Sequence, residues 1–236
     1  MVFWYEHGLE PYRFNPIVVK SIIISNLAIF VLELINPALM INYFALRPNA
    51  VLRGATLWTI ITHMFLHADF LHIFFNMYAL YMFGPECERN FGHKAFALLY
   101  FLSGLLGAFM HILLCPYKDI PALGASGAVF GILGAYAVLY PQRRIAMFVF
   151  FAFLVLPAWA MITMLVALFT LFAIVGIFPT IAHYAHIGGI IGGILFAIVF
   201  RSKFMRRMLG YKTAIVYTIV EHGYNESEDY SDYEYY

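Results

Sequence analysis

Ser126 stands in Gly124-Ala125-Ser126-Gly127 and His186 in Ala185-His186-Ile187-Gly188-Gly189, each at the front of an apolar segment. A hydroxyl and an imidazole are the smallest side-chain pair that performs acyl transfer. Neutral imidazole takes the serine proton as the oxygen attacks a carbonyl, then returns it to the leaving amine. Negative charge develops on the carbonyl oxygen, so donors must wait there. The Ser126 N–H at a helix start is one candidate, with His72 and the Asn76 amide as others. Their spacing of four sets His72 and Asn76 on one helix face. The expected spans carrying Ser126 and His186, and the span between them, contain no Asp or Glu. A Ser-His dyad is therefore expected rather than a triad, with the imidazole oriented by packing. Tyr184, Tyr136 and Tyr140 are candidate neighbours.

The elements that must hold these groups are built for lipid. Of 236 residues, 63% are hydrophobic and 11% charged, and the mean hydropathy is +0.81, which excludes an ordinary water-facing globule. Apolar runs at 17–35, 70–86, 95–115, 126–140, 157–176 and 182–200 have the length of membrane spans. The expected fold class is an all-α polytopic membrane protein, a bundle of six transmembrane helices, with a seventh span left open by the unbroken apolar stretch 145–178. Pro157 divides that stretch into an interfacial segment and a span. The first run is longer than a signal-peptide core and lacks a small-residue cleavage pattern, so it is read as retained.

With the N-terminus inside, eleven Lys and Arg residues fall on the inner side, against Arg47, Arg53 and Lys118 outside. The positive-inside rule then makes both termini cytoplasmic, with the cell membrane as the expected location. The order along the chain is a cytoplasmic segment at 1–16, the membrane domain at 17–200, a basic juxtamembrane segment at 201–220 and an acidic, tyrosine-rich tail at 221–236. Residues 36–69 form one long external connection, either an interfacial aromatic belt or a partly immersed amphipathic element. In this topology the outer ends of three spans bring His72 and Asn76, Ser126, and His186 to a similar depth.

Small residues supply the means of approach. Gly127 and Gly131 are four apart with Gly134 beyond, and Gly188/Gly192 and Gly189/Gly193 repeat the spacing. Such faces let helices touch closely in lipid.

At these residues the chain resembles the rhomboid family of intramembrane serine proteases. The resemblance runs from Trp58 to about Gly193. It comprises Gly124-Ala125-Ser126-Gly127 as the Gly-x-Ser-Gly signature, His186 through Gly189 to Gly193 as the sixth-helix signature, and His72 with Asn76 as the second-helix signature. It implies Ser126 as nucleophile, His186 as base, and His72, Asn76 and the Ser126 N–H at the oxyanion. It also implies transmembrane protein substrates and no cofactor. The connection 36–69 resembles the family's lateral first loop, although Thr59 stands where the family's arginine usually follows the tryptophan. Glu88 and Gly92 match a structural turn between the second and third spans, and His67 matches a loop anchor.

Cys87 and Cys115 do not indicate a redox compartment, and no His or Cys cluster completes a metal site. Neither a nucleotide loop nor a nucleic-acid surface is present. Membrane lipids and protein substrates are the expected partners, without a required partner subunit. The competing function is a non-catalytic membrane-protein binding or quality-control module. A transporter fits poorly, because the polar groups lie at one side and no inverted repeat is evident.

Overall fold

The computed structural model describes residues 14–149, 152–176 and 182–200. Most of the N-terminal segment, the basic segment 201–220 and the acidic tail 221–236 lie outside the described residues. The helices are α1 (Ile17–Ile35), α2 (Pro37–Phe44), α3 (Pro48–Leu52), α4 (Thr59–Thr62), α5 (Phe70–Phe91), α6 (His93–Leu114), α7 (Ser126–Leu139), α8 (Ala158–Val175) and α9 (His183–Phe200). A 3₁₀ turn, His63–Phe65, follows α4.

This is a helical, multi-pass membrane bundle. Among the described helices, α1, α6 and α9 are long and apolar enough to cross a bilayer, and α7 and the first part of α8 are shorter apolar helices. The distribution of polarity is that of a protein in lipid. Leu34, Phe70 and Ile174 face outward at 67%, 70% and 78% exposure, while Asn26, Asn76, Glu88 and Ser103 are buried. Apolar surface toward lipid costs nothing; polar groups there must turn inward and find partners.

Two local features depart from the sequence reading. The helix expected over 70–86 does not stop there: α5 continues through Pro85 to Phe91, where Gly92 closes it with φ +81° and donates its N–H to the Glu88 carbonyl at 2.8 Å. Glycine takes that left-handed conformation without a Cβ clash. The segment after α7 forms an antiparallel hairpin, β1 (Arg144–Val149) and β2 (Ala152–Pro157), in which Arg144 pairs with Pro157. Pro157 then starts α8, consistent with the fixed φ that suits a helix boundary.

Glu88 ties the start of α1 to the end of α5. Its two carboxylate oxygens accept the Val18 and Val19 N–H groups at 2.9 Å each, and its side chain also meets His93. Those N–H groups belong to the first turn of α1 and have no intrahelical acceptor. A carboxylate at a helix N-terminus also meets the positive end of the dipole. Replacing Glu88 with Ala strands buried donors and should destabilise the fold by about 2–3 kcal/mol. Reversible unfolding in mixed micelles measures the loss; a change below about 0.5 kcal/mol would show that the contact contributes little.

Candidate active site

The 36–69 connection is the frame on which the segment before Ser126 is hung. Leu46 and Ala122 exchange both N–H···O bonds, at 2.9 and 2.8 Å. Asn49 donates its N–H to the Lys118 carbonyl at 3.1 Å and its amide to Asp119 at 2.8 Å. The connection is itself cross-braced: Trp58 Nε1 donates to the Tyr43 carbonyl at 2.8 Å, and Thr62 Oγ1 to that of Phe44 at 2.9 Å. Thr59 is buried, its hydroxyl donates to the Thr56 carbonyl at 2.6 Å, and its own carbonyl accepts from His63 Nδ1 at 2.8 Å.

The brace ends at the candidate serine. Gly124 donates its N–H to the His63 carbonyl at 2.9 Å and has φ +127°, a conformation that disfavours any L side chain. A Cβ there would also stand 2.7–2.8 Å from Cε1 and Nε2 of His72. The glycine is thus needed twice, for its dihedral angle and for the approach of the His72 ring. Ser126 is the first residue of α7, so its N–H points from the helix start with no intrahelical acceptor.

Ser126 Oγ and His186 Nε2 are 2.9 Å apart, although the residues are 60 positions apart in sequence. The contact follows from backbone packing. A Cβ at Gly189 would overlap the Gly127 carbonyl oxygen, and one at Gly193 would overlap that of Gly131. At Gly134 a Cβ would meet the Ile190 carbonyl oxygen at 2.6 Å. A Cβ at Gly131 would collide with Ser103 of α6 and stand 3.0 Å from the Gly189 carbonyl oxygen of α9. α6, α7 and α9 meet one another along a seam of small residues, and that seam sets the distance from hydroxyl to imidazole.

The His186 ring is held by aromatic packing. Phe130 lies 4.6 Å from it and Phe169 of α8 4.9 Å, with those two rings edge to face at 5.0 Å. His186 Nδ1 is buried without a hydrogen-bond partner among the described residues, so no carboxylate orients this ring there. Phe130 and Phe169 were not picked out by sequence reasoning, since a phenylalanine in an apolar helix looks the same at a site as elsewhere. Tyr136 and Tyr140 serve another cluster: Arg143 donates to Tyr136 Oη at 3.1 Å, lies 4.9 Å over the Tyr140 ring and pairs with Glu86.

His72 and Asn76 share the start of α5. Asp69 caps that helix by accepting the His72 N–H at 2.8 Å, and the buried Asn76 donates its amide to the His72 carbonyl at 2.9 Å. His67 packs edge-on to His72 at 5.1 Å. A cavity of about 10 Å³ adjoins Ser126 and is lined by residues that include His63, Gly104, His111 and Ala185. It has room for about one water molecule. No group of three or more metal-ligating side chains occurs among the described residues.

Burial pushes His63, in the 36–69 connection, down to about 4, against the opposing pull of the Thr59 and Ile60 carbonyls. Its folded value lies below its ordinary one, so its contribution to stability is present above about 6.5 and is lost as pH falls toward 4.

A Rhomboid domain profile matches residues 54–203, well over half of the chain. The chain belongs to the rhomboid family. It is 31% identical over 156 residues to RHOMBOID-like protein 6, mitochondrial, of Arabidopsis thaliana, which covers 63% of this chain and 45% of that protein. Rhomboid protease GluP of Bacillus subtilis is 31% identical over 150 residues, covering 64% of this chain and 27% of the relative. Inactive RHOMBOID-like protein 8 of Arabidopsis thaliana is 29% identical over 150 residues, covering 61% and 38%. The chain thus spans less than half the length of each of these rhomboid relatives. Membership places it among membrane-embedded proteins that include both proteases and inactive forms.

The glycine seam makes a direct prediction. Gly189→Ala places a methyl group against a carbonyl oxygen that cannot rotate away, and overpacking of this kind should cost about 2 kcal/mol. Gly54, where an added Cβ meets nothing within 4 Å but φ is +75°, is the control for backbone strain alone. Unfolding midpoints of the two alanine variants in detergent compare them; equal losses would show that the seam is not under close contact.

Proposed function

We propose that this chain is an intramembrane serine endopeptidase that cleaves transmembrane protein substrates with a Ser126–His186 dyad. The observation that carries this reading is the 2.9 Å approach of Ser126 Oγ to His186 Nε2. Family membership alone does not choose between an active and an inactive rhomboid, because named relatives include both.

In this reading His186 Nε2 accepts the Ser126 proton as Oγ attacks the scissile carbonyl. Collapse of the tetrahedral intermediate breaks the C–N bond, and the imidazolium gives its proton to the departing amine. Water then attacks the acyl-serine, loses its proton to His186, and the second product leaves as a carboxylic acid while Ser126 recovers its proton. The Ser126 N–H, His72 and the Asn76 amide receive the oxyanion. The cavity beside Ser126 provides space for a water molecule. The reading includes six spans, formed by α1, α5, α6, α7, α8 and α9, with both termini cytoplasmic, membrane lipids around them and no required partner subunit or cofactor.

The test is cleavage of a single-span protein in liposomes by wild type, Ser126→Ala and His186→Ala. Wild type should cleave, and each variant should lose at least about a thousandfold in kcat. Substrate association without cleavage by wild type would favour the non-catalytic binding or quality-control reading instead.

A further inference from the structure

Glu33 takes no part in the chemistry above, yet it lies near the end of the apolar helix α1 at 5% exposure. A carboxylate in such a place is costly unless it is well partnered. Among the described residues its hydrogen-bond partner is one peptide N–H, that of His67, which donates to both carboxylate oxygens, at 2.9 and 3.1 Å. The next N–H along the chain, that of Ala68, donates to His72 Nδ1 at 3.3 Å.

We propose that Glu33 is a positioning residue for the oxyanion side of the site, fixing the 67–68 backbone so that the Ala68 N–H holds His72 in the tautomer protonated at Nε2. The inference rests on the protease reading for its kinetic consequence, but not for its structural one.

The chemistry follows from the acceptor atom. A neutral imidazole nitrogen that accepts a hydrogen bond carries no proton, so the ring's one proton sits on the other nitrogen. His72 Nε2 is the ring edge that faces Gly124, where an added Cβ would stand 2.8 Å from Nε2 and 3.6 Å from Ser126 Oγ. The Nε2–H is therefore directed into the space beside the serine where negative charge would develop. The opposite tautomer would present a lone pair there and repel that charge. Three contacts converge on this arrangement: Glu33 anchors His67, the His67 ring braces the edge of His72, and Asp69 fixes the His72 N–H at the helix start. Without the carboxylate, the 66–67 peptide loses its anchor, and the neighbouring 67–68 peptide, whose Ala68 N–H makes the Nδ1 contact, loses its fixed orientation with it.

The experiment combines kinetics with imidazole ¹⁵N NMR of the full chain in detergent, comparing wild type with Glu33→Met, Glu33→Gln and Ala68→Pro. Ala68 is exposed, and its proline variant deletes the N–H that donates to His72 Nδ1 while leaving Glu33 in place. Wild type should show His72 protonated at Nε2. Glu33→Met and Ala68→Pro should show mixed tautomers and a fall in kcat of about tenfold or more, with KM within about twofold. Glu33→Gln, whose amide oxygen still accepts, should restore most of both. Should Glu33→Met not fold, the exposed Ala68→Pro variant still decides whether that N–H sets the tautomer. An unchanged His72 spectrum in Ala68→Pro, or in a folded Glu33→Met, overturns the proposal. If wild type does not cleave, the protease reading fails, while the tautomer measurement still tests the Glu33 clamp.

Discussion

Everything at the candidate site depends on two helices meeting where neither has a side chain. α7 and α9 touch through Gly127, Gly131, Gly189 and Gly193, where Cβ atoms on α9 would overlap carbonyl oxygens of α7. In lipid there is no hydrophobic force to drive helices together, because the tails are as apolar as leucine; close packing must supply the attraction. The same closeness sets the reach of Ser126 to His186. Stability and site geometry are therefore one property of this chain, and a methyl group on the seam should disturb both.

The second constraint is polar. A bundle in lipid has to satisfy its own hydrogen-bonding groups, and here a few buried acceptors hold together elements distant in sequence. Glu88 collects the first N–H groups of α1, and Glu33 collects the His67 N–H. The 36–69 connection adds the Leu46–Ala122 exchange and the His63–Gly124 bond, so the chain entering α7 is fixed before the serine is reached. The candidate nucleophile sits at a helix start whose preceding residues are tied down by these bonds. Such a placement suits a reaction that requires donors to be in position in advance.

The elements bearing Ser126, His186, His72 and Asn76 were legible because chemistry demands particular residue types at particular spacings, and glycine spacing announces close helix contact. Other parts carry no such mark. The hairpin from Arg144 to Pro157 is apolar at nearly every position, so the alternation that betrays a strand is absent. The extension of α5 to Phe91 was hidden by Pro85 and the charged residues around it, which read as a span end. Phe130 and Phe169, which hold the imidazole, look like ordinary lipid-facing or core aromatics. Glu33 did leave a signal: a lone carboxylate in an apolar span needs a partner. Its partner is a backbone N–H 34 residues away, and no side-chain pattern identifies a peptide group.

Close contact across the α7–α9 seam is the central physical claim, and its most direct chemical reporter is the reactivity of Ser126. A serine hydroxyl becomes a useful nucleophile only with a base in hydrogen-bond reach. Mass spectrometry of the detergent-solubilised chain after treatment with a fluorophosphonate measures this. The account predicts an adduct on Ser126 in the native chain and little or none in His186→Ala or Gly189→Val. An unmodified Ser126 in the native chain, or equal labelling in all three, would contradict it.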